Sequence, residues 1–235
     1  MNRALVIGPG GLRGAYSAGV VATLGRKLGA GYFDAVYGCS AGAYTGSYLV
    51  SGQPDMIEAI WRECVHSSLL MRPKNMFKKG EPILDLFYLN NVMRSEKYLL
   101  SIPNLLNDRA KLLMVSTKQS TGTPVYFTPR TEEEFFLQVR ASAAVPFLHH
   151  GVIIDGSMYI DGMFSDPLPY KRALADGHQE IIVVNNTPKI MEDLPTNVRF
   201  IVPSEKTKHR WQFDRSKDRI NELVDLGIRD ALAFL

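Results

Sequence analysis

The sequence has few cysteines, no long apolar run and little net charge. Its 235 residues include two cysteines, too few for the disulfide framework of a secreted domain. No uninterrupted apolar stretch approaches the roughly 18 residues of a membrane-spanning helix. Residues 4–8 are typical of a buried strand and not of a signal peptide. A formal charge of +3, scattered along the chain, does not favour nucleic-acid binding. These absences predict a cytosolic globular protein.

Short apolar runs alternate with helical patterns along the chain. Hydrophobic residues make up 46% and charged residues 22%, which is ordinary for a globular domain. Strands are predicted at 3–7, 33–37, 111–117, 125–128, 152–154, 157–160, 181–185 and 198–202, and helices at 14–27, 55–67 and about 220–232. This alternation predicts an α/β fold with a mostly parallel sheet, in one domain over residues 1–235.

Residues 69–106 are less regular and rich in methionine and aromatic side chains. Such side chains adapt to flexible apolar ligands, so the segment is interpreted either as a lid or acyl-chain wall or as a helical insertion with its own small core. The pattern favours the insertion.

Ser40 carries the strongest chemical signal, because it lies in Gly38-Cys39-Ser40-Ala41-Gly42 between a predicted strand and a predicted helix. A nucleophilic serine on such a turn needs a strained backbone. Glycines two residues before and after it let the strand and helix approach. The pattern also occurs by chance, so its meaning depends on the rest of the chain.

A glycine-rich turn, Gly8-Pro9-Gly10-Gly11-Leu12-Arg13-Gly14, follows the first strand. Backbone N–H groups at such a turn suit an anion, either a nucleotide phosphate or the oxyanion of an acyl-transfer intermediate. Neither the dinucleotide fingerprint nor the P-loop is complete, which favours the oxyanion. The candidate donors are Gly10, Gly11, Leu12 and Arg13. A purely structural turn is the third interpretation.

A serine nucleophile also needs a base. His178 and His209 fit the chain order of a Ser-acid-His triad, but both lie in polar stretches typical of a surface. Asp161 is the alternative, because it ends an apolar run at Gly162, where a carboxylate would face the serine. As a general base it must be dry enough for its pKa to rise.

Together these pieces resemble the patatin-like phospholipase family, in its bacterial branch. The similarity covers residues 4–185 and rests on Gly-Gly-Leu-Arg-Gly at 10–14, Gly-Cys-Ser-Ala-Gly-Ala at 38–43, Ala-Ser-Ala-Ala-Val-Pro at 141–146, Tyr-Ile-Asp-Gly at 159–162 and Ser-Asp-Pro-Leu-Pro at 165–169. The resemblance implies a three-layer α/β/α sandwich and a Ser40–Asp161 dyad without a catalytic histidine. It also implies an oxyanion hole at 10–13 and a lipid or other carboxylic ester as substrate.

Two positions depart from the family pattern, which usually has glycine at Pro9 and a small residue at Met163. Both are expected to reshape the pocket without removing a catalytic atom. The alternative function is a non-catalytic acyl-lipid binder on the same scaffold. No cofactor is expected, and no metal site either, because the histidines and cysteines lack ligand spacing.

The stretch from Lys206 to Arg219 mixes cations with one tryptophan, a composition that also occurs at peripheral membrane contacts. The cationic and aromatic residues are Lys206, Lys208, Arg210, Trp211, Arg215, Lys217 and Arg219. Asp214 and Asp218 within the stretch and Glu205 just before it dilute the charge, so an ordinary solvated face is favoured over membrane contact.

Overall fold

Strands and helices alternate through most of the chain in the computed structural model, which describes residues 2–78, 80–107, 109–188, 194–205 and 214–235. The strands are β1 (Arg3–Ile7), β2 (Ala35–Cys39), β3 (Lys111–Lys118), β4 (Thr123–Phe127), β5 (Val152–Ile154), β6 (Ser157–Asp161), β7 (Glu180–Val184) and β8 (Val198–Ile201). The α-helices are α1 (Gly14–Leu28), α2 (Ala41–Val50), α3 (Pro54–Glu63), α4 (Leu86–Arg94), α5 (Ile102–Asn107), α6 (Glu132–Ala143), α7 (Tyr170–Ala175) and α8 (Lys217–Phe234). Each predicted strand and helix is confirmed, most of them to within a few residues at either end.

Local chemistry accounts for several helix starts. Proline opens α3, where its missing N–H costs nothing. The side chain of Asp85 accepts from the Tyr88 N–H at 3.1 Å and caps α4. The Thr131 hydroxyl accepts from the Glu134 N–H at 3.2 Å and caps α6. These caps fix where the helices next to the site begin.

The described strands form one eight-stranded sheet with the neighbour order β5-β6-β3-β2-β1-β7-β8, and β4 also pairs with β3. Five neighbouring strands are mutually parallel, namely β3, β2, β1, β7 and β8. The β3–β4, β3–β6 and β5–β6 pairs are antiparallel. The predicted mostly parallel sheet is therefore confirmed. In β1 and β2 nearly every residue is buried, as expected for parallel strands covered on both faces.

Strand β3 brings two distant parts of the chain to one edge. Its first half pairs with β2 as far as Cys39, opposite Val115, and its second half pairs with β6 from Asp161, opposite Ser116. Strand β4 pairs with residues from both halves, so it must lie on the other edge of β3. Strand β6 therefore lies along the same edge of β3 as β2 does. Asp161 lies next to the point where β2 ends, just before Ser40.

Helices cover both faces of the sheet, which confirms the three-layer sandwich, but the layers are unequal. The large core lies between one face and α1, α2, α3, α4, α6 and α8. The smaller core on the other face packs residues such as Val6 and Ile181 against Tyr170 and Ala173 of α7. Within the described ranges, none of these helices combines the length and apolarity needed to cross a membrane.

Residues 69–106 are built from short helices and turns packed on α2, α3 and α6. Its buried side chains, among them Leu70, Leu86 and Met93, belong to the same large core as α1 and α2 and do not form a core of their own. An isolated bridge between Met71 and Leu84 closes its first part into a loop. The structure therefore differs from the favoured interpretation, which was an insertion with a separate small core. The segment is part of the main core.

Candidate active site

Ser40 occupies the turn between β2 and α2 in a strained backbone conformation. Its φ of 55° and ψ of −122° are rarely adopted by a residue with a side chain. A Cβ atom at Gly42 would lie 2.3 Å from the Ile7 carbonyl oxygen, and one at Gly38 would lie 2.5 Å from the Ala43 Cα. Glycine at both positions is therefore required by close approach, as the motif predicts.

The strained turn is supported from α6. The Ser40 N–H donates to the Ser142 Oγ at 3.0 Å, and the Ser142 side chain is fully buried. Ser142 lies in the Ala-Ser-Ala-Ala-Val-Pro motif at 141–146, but the motif itself predicts no role for this side chain. The contact joins residues about a hundred positions apart, so no local pattern signals it.

Asp161 ends β6 and is completely buried. This burial raises the pKa of Asp161 from 3.8 to about 7, against smaller lowering contributions from the Met163 N–H and the Ser40 hydroxyl. A carboxyl group with a pKa near neutrality exchanges a proton readily at physiological pH. Asp161 is thus shielded from solvent, as expected of a general base with a raised pKa.

The two oxygens of Asp161 have different surroundings. Oδ1 accepts the Met163 N–H at 2.9 Å and faces the Cys39 Sγ at 4.0 Å. Burial, together with Asp161, raises the pKa of the Cys39 thiol, so it stays protonated as a weak donor. No described residue hydrogen-bonds Oδ2. The Ser40 hydroxyl is near enough to the carboxyl group to lower its pKa.

Of the two histidines considered as bases, the structure describes only His178, and this residue does not reach Ser40. His178 precedes β7, at the opposite end of the sheet, where its Nε2 lies 3.1 Å from the Tyr37 hydroxyl. His209 lies outside the described residues. The structure therefore brings an aspartate to the serine turn, and His178 lies elsewhere.

The glycine-rich turn is fastened by Asn186, which sequence analysis missed. The Asn186 Nδ2 donates to the carbonyl oxygens of Gly8 and Pro9 at 3.3 and 3.0 Å, and its Oδ1 accepts from the N–H and hydroxyl of Ser17. The side chain is buried just after β7. A polar residue following a buried strand was the one available signal.

The turn leaves fewer N–H groups for an anion than its length suggests. The Arg13 N–H donates to the Gly10 carbonyl oxygen at 3.0 Å, so this donor of the predicted set of four is already engaged. Gly11 and Leu12 are the first two residues of the short helix that follows Gly10, and their N–H groups have no intrahelical acceptor. Gly11 has a φ of +54°, which favours glycine.

A narrow cavity of about 90 Å³ opens beside these groups and is bounded by Gly11, Leu12 and Ser40. Its other walls are almost entirely apolar and come from α2, α3 and the segment 65–93 (Ala41, Tyr44, Thr45, Tyr48, Ile57, Ile60, Trp61, Val65, Leu70, Met71, Leu84, Leu86, Leu89, Val92, Met93), with Ala143 and Val145. The polar atoms in the wall are paired, since the Trp61 Nε1 donates to the Thr45 hydroxyl and the Tyr44 hydroxyl donates to Asn90. Residues 69–106, for which an acyl-chain wall was the less favoured interpretation, supply Leu70, Met71, Leu84, Leu86, Leu89, Val92 and Met93 to this lining.

The two departures from the family pattern lie beside the site but outside the cavity lining. Among the described residues that bound the cavity, neither Pro9 nor Met163 is present. Pro9 contributes its carbonyl to Asn186, and Met163 its N–H to Asp161. Both contacts are made by backbone groups: any residue at position 9 would retain the carbonyl, and any residue other than proline at position 163 would retain the N–H. Within the described ranges, no group of three or more His, Cys, Asp or Glu side chains is arranged to hold a metal ion.

The strained serine, the buried carboxyl group and the glycine-rich turn therefore lie together at one end of the sheet. A family model of patatin-like phospholipase matches residues 5–174, which is most of the chain. The chain therefore belongs to the patatin-like phospholipase family.

One further protein sequence and one solved structure are similar to nearly the whole chain. The chain is 29% identical over 238 residues to the uncharacterized protein YjjU of Escherichia coli (strain K12); the match covers 99% of the chain and 64% of that relative. The fold is similar to that of VipD from Legionella pneumophila, with a TM-score of 0.54 at 14% identity, over 95% of this chain and 67% of that one. The chain thus spans about two thirds of the length of each.

Proposed function

We propose that the protein is a serine acyl hydrolase that cleaves carboxylic esters of lipids. The observation that carries the proposal is Asp161, a fully buried carboxyl group with a pKa raised to about 7, adjacent to a serine in a strained turn. Membership of the patatin-like phospholipase family supports a lipid hydrolase. The finer assignment, Ser40 as nucleophile and Asp161 as base, rests on the geometry of the two residues.

In the first step the Ser40 Oγ attacks the ester carbonyl carbon and its proton passes to Asp161. Oδ2 is the natural acceptor, because Oδ1 is already bonded to the Met163 N–H. The negative charge that develops on the carbonyl oxygen is stabilised by the N–H groups of Gly11 and Leu12, with Gly10 beside them. Collapse of the tetrahedral intermediate breaks the ester C–O bond, and the leaving alcohol takes the proton from Asp161.

The second step reverses these roles with water. Asp161 accepts a proton from a water molecule while the oxygen of that water attacks the acyl carbon of the Ser40 ester. The intermediate collapses, the Ser40 Oγ recovers the proton and the fatty acid is released. One carboxyl group suffices because each step moves one proton in each direction.

The cavity supports an acyl chain as the part of the substrate that is recognised. It begins at Ser40 and Gly11, so a chain lying in it would present its carbonyl carbon to the nucleophile. Its apolar walls are suited to hydrocarbon and offer no counter-charge to a nucleotide phosphate at the same turn. An acyl chain explains the location of the cavity better than a nucleotide does.

The test is hydrolysis of 4-nitrophenyl esters of increasing acyl length, and of a diacyl phospholipid, by the purified protein. We expect turnover that increases with chain length and disappears in Ser40→Ala. Folded protein that binds fatty acid stoichiometrically but hydrolyses none of these esters would overturn the proposal in favour of the acyl-lipid binder.

A further inference from the structure

Two exposed aromatic side chains lie on loops that form the wall of the cavity. Phe77 is 85% exposed and follows Met76, which is 66% exposed, in the short helix Pro73–Phe77. Phe147 is 98% exposed and has a positive φ of 68°, a conformation that a bulky side chain rarely adopts. Isolated apolar side chains on a surface are common, but a strained residue that holds an aromatic ring in solvent needs a reason.

The two loops are fastened to each other. The Leu148 carbonyl oxygen accepts the N–H groups of Ile83 and Leu84, each at 2.9 Å. The Asn75 Nδ2 donates to the Pro82 carbonyl oxygen at 2.8 Å, which ties the helix that carries Met76 and Phe77 to the same stretch. Met71, Leu84 and Val145 of these loops line the cavity. The exposed side chains therefore lie on loops that bound the cavity and that these hydrogen bonds connect.

The charge of this region is positive. Residues 69–84 contain Arg72, Lys74, Lys78 and Lys79 and one acidic residue, Glu81. Arg72 forms an ion pair with Asp85 at 2.7 Å, while Lys74 and Lys78 are exposed. The segment before α8 adds to it, because the Arg215 Nη1 donates to the Met71 carbonyl oxygen at 3.3 Å. Lys206, Lys208, Arg210 and Trp211 of the predicted basic stretch lie outside the described residues.

We propose that Met76, Phe77 and Phe147, flanked by Lys74 and Lys78, form a docking surface for a bilayer that carries anionic headgroups. Apolar side chains surrounded by lysines match the layering of such a bilayer, in which hydrocarbon lies beneath negative charge. The surface lies on the loops that bound the cavity, so a docked protein would meet lipid where an acyl chain enters. The choice of lipid as the occupant of the cavity rests on the proposed function, but docking is measured without turnover.

The experiment is co-sedimentation of Ser40→Ala protein, which does not consume lipid, with vesicles of phosphatidylcholine alone or mixed with phosphatidylglycerol. We expect stronger binding to the mixed vesicles and a decrease with salt. Phe77→Ser is expected to weaken binding to mixed vesicles about tenfold, because one aromatic ring is no longer inserted. Lys74→Glu with Lys78→Glu is expected to weaken it by about thirtyfold or more.

Matched control variants lie at the other end of the molecule. Leu99 is 55% exposed, and its carbonyl oxygen accepts from Gln53, beyond the end of α2 that is remote from Ser40. Lys27 and Lys111 are exposed at the end of α1 and the start of β3. Leu99→Ser and Lys27→Glu with Lys111→Glu are expected to bind mixed vesicles like the parent protein.

Equal losses in the control and test variants, or equal binding to both kinds of vesicle, would overturn the docking surface. In protein with Ser40 intact, Phe77→Ser should hydrolyse a water-soluble short-chain ester as fast as the unchanged chain. Vesicle binding without any ester hydrolysis would leave the docking surface standing and refute the proposed function. Ester hydrolysis without the expected pattern of vesicle binding would support the proposed function and refute the docking surface.

Discussion

Two aspartates at opposite ends of the sheet show how the same side chain serves different purposes. Asp161 is fully buried, and burial raises its pKa to about 7. Partial burial also raises the pKa of Asp176, but hydrogen bonds from Tyr37 and Arg172 outweigh it, so the net pKa is lowered. The Tyr37 hydroxyl donates to Asp176 at 2.7 Å, and the Arg172 Nε lies 2.9 Å from both of its oxygens.

Asp161 and Asp176 differ in how many of their carboxylate oxygens have a hydrogen-bond partner. Both oxygens of Asp176 have partners, so its charge is stabilised and the group is structural. Asp161 has one oxygen that no described residue hydrogen-bonds, and it lies next to a serine and is fully buried from bulk solvent. A group that is costly to ionise and incompletely bonded is suited to receive a proton. Burial combined with a missing partner therefore distinguishes Asp161, the base of the proposed mechanism, from the fully bonded Asp176.

The largest expected effect is on turnover. Asp161→Asn should lower kcat for ester hydrolysis by about 10³–10⁴, because asparagine cannot accept the Ser40 proton. Asp176→Asn should keep kcat within about twofold, since the residue lies at the opposite end of the sheet. Steady-state kinetics of the two variants provides the comparison, and similar kcat values for both would break it.

The same pair should differ in stability, with a sign set by the two pKa values. The folded-state pKa of Asp161 lies above its unfolded value of 3.8, so its ionisation destabilises the fold as pH rises from about 4 to about 7. Asp161→Asn removes that cost and should raise the free energy of unfolding by up to about 4 kcal/mol near pH 8, with no gain below about pH 4.

Asp176 has a lowered pKa, so its contribution is present above the unfolded value and lost as pH falls. Asp176→Asn should therefore destabilise the protein near neutral pH. Urea unfolding near pH 8 and near pH 4 measures the change in the free energy of unfolding for both variants. A lower free energy of unfolding for Asp161→Asn near pH 8 would contradict the account.

Two buried serines allow a comparison of a bonded and an unbonded hydroxyl. Ser142→Ala removes the acceptor of the Ser40 N–H and should lower the free energy of unfolding by about 1–3 kcal/mol, with a loss of turnover. Ser116→Ala serves as the control, because no described residue hydrogen-bonds its equally buried hydroxyl. A chemical-denaturation series on both variants tests this, and equal destabilisation would mean that the Ser142 contact adds nothing.

The smallest expected effect concerns the spaces at the two ends of the sheet. Leu84 lines the apolar cavity, whereas Leu106 lines a more polar pocket with Asn2, Asp34 and Lys111. Leu84→Phe should lower kcat/KM for long-chain esters about tenfold relative to short-chain ones. Leu106→Phe should leave this ratio unchanged. A chain-length series on both variants decides whether the cavity holds the acyl chain.

The sequence predicts the fold well because the apolar runs of β1, β2 and β7 and the periodic helices α1 and α8 are strong local patterns. It also selects Ser40, since the glycines around it are demanded by close packing. It favours Asp161 over His178 and His209 as the base, but no local pattern shows that Asp161 reaches Ser40. The choice depends on β6 joining the same edge of β3 as β2, which is a matter of register between distant segments.

Other features of the site depend on tertiary contacts that no local pattern encodes. Ser142 and Asn186 meet the serine turn and the glycine turn from remote parts of the chain. The engagement of the Arg13 N–H depends on how the turn closes. The raised pKa of Asp161 depends on complete burial, which only the packed sheet provides.

The most direct test of the central claim is labelling with a fluorophosphonate probe, which reacts only with an activated serine. The unchanged protein, Ser40→Ala and Asp161→Asn are compared at equal concentration, with folding checked by circular dichroism. The account predicts that only the unchanged protein is labelled, and at Ser40. Undiminished labelling of Asp161→Asn, or of a serine other than Ser40, would contradict it.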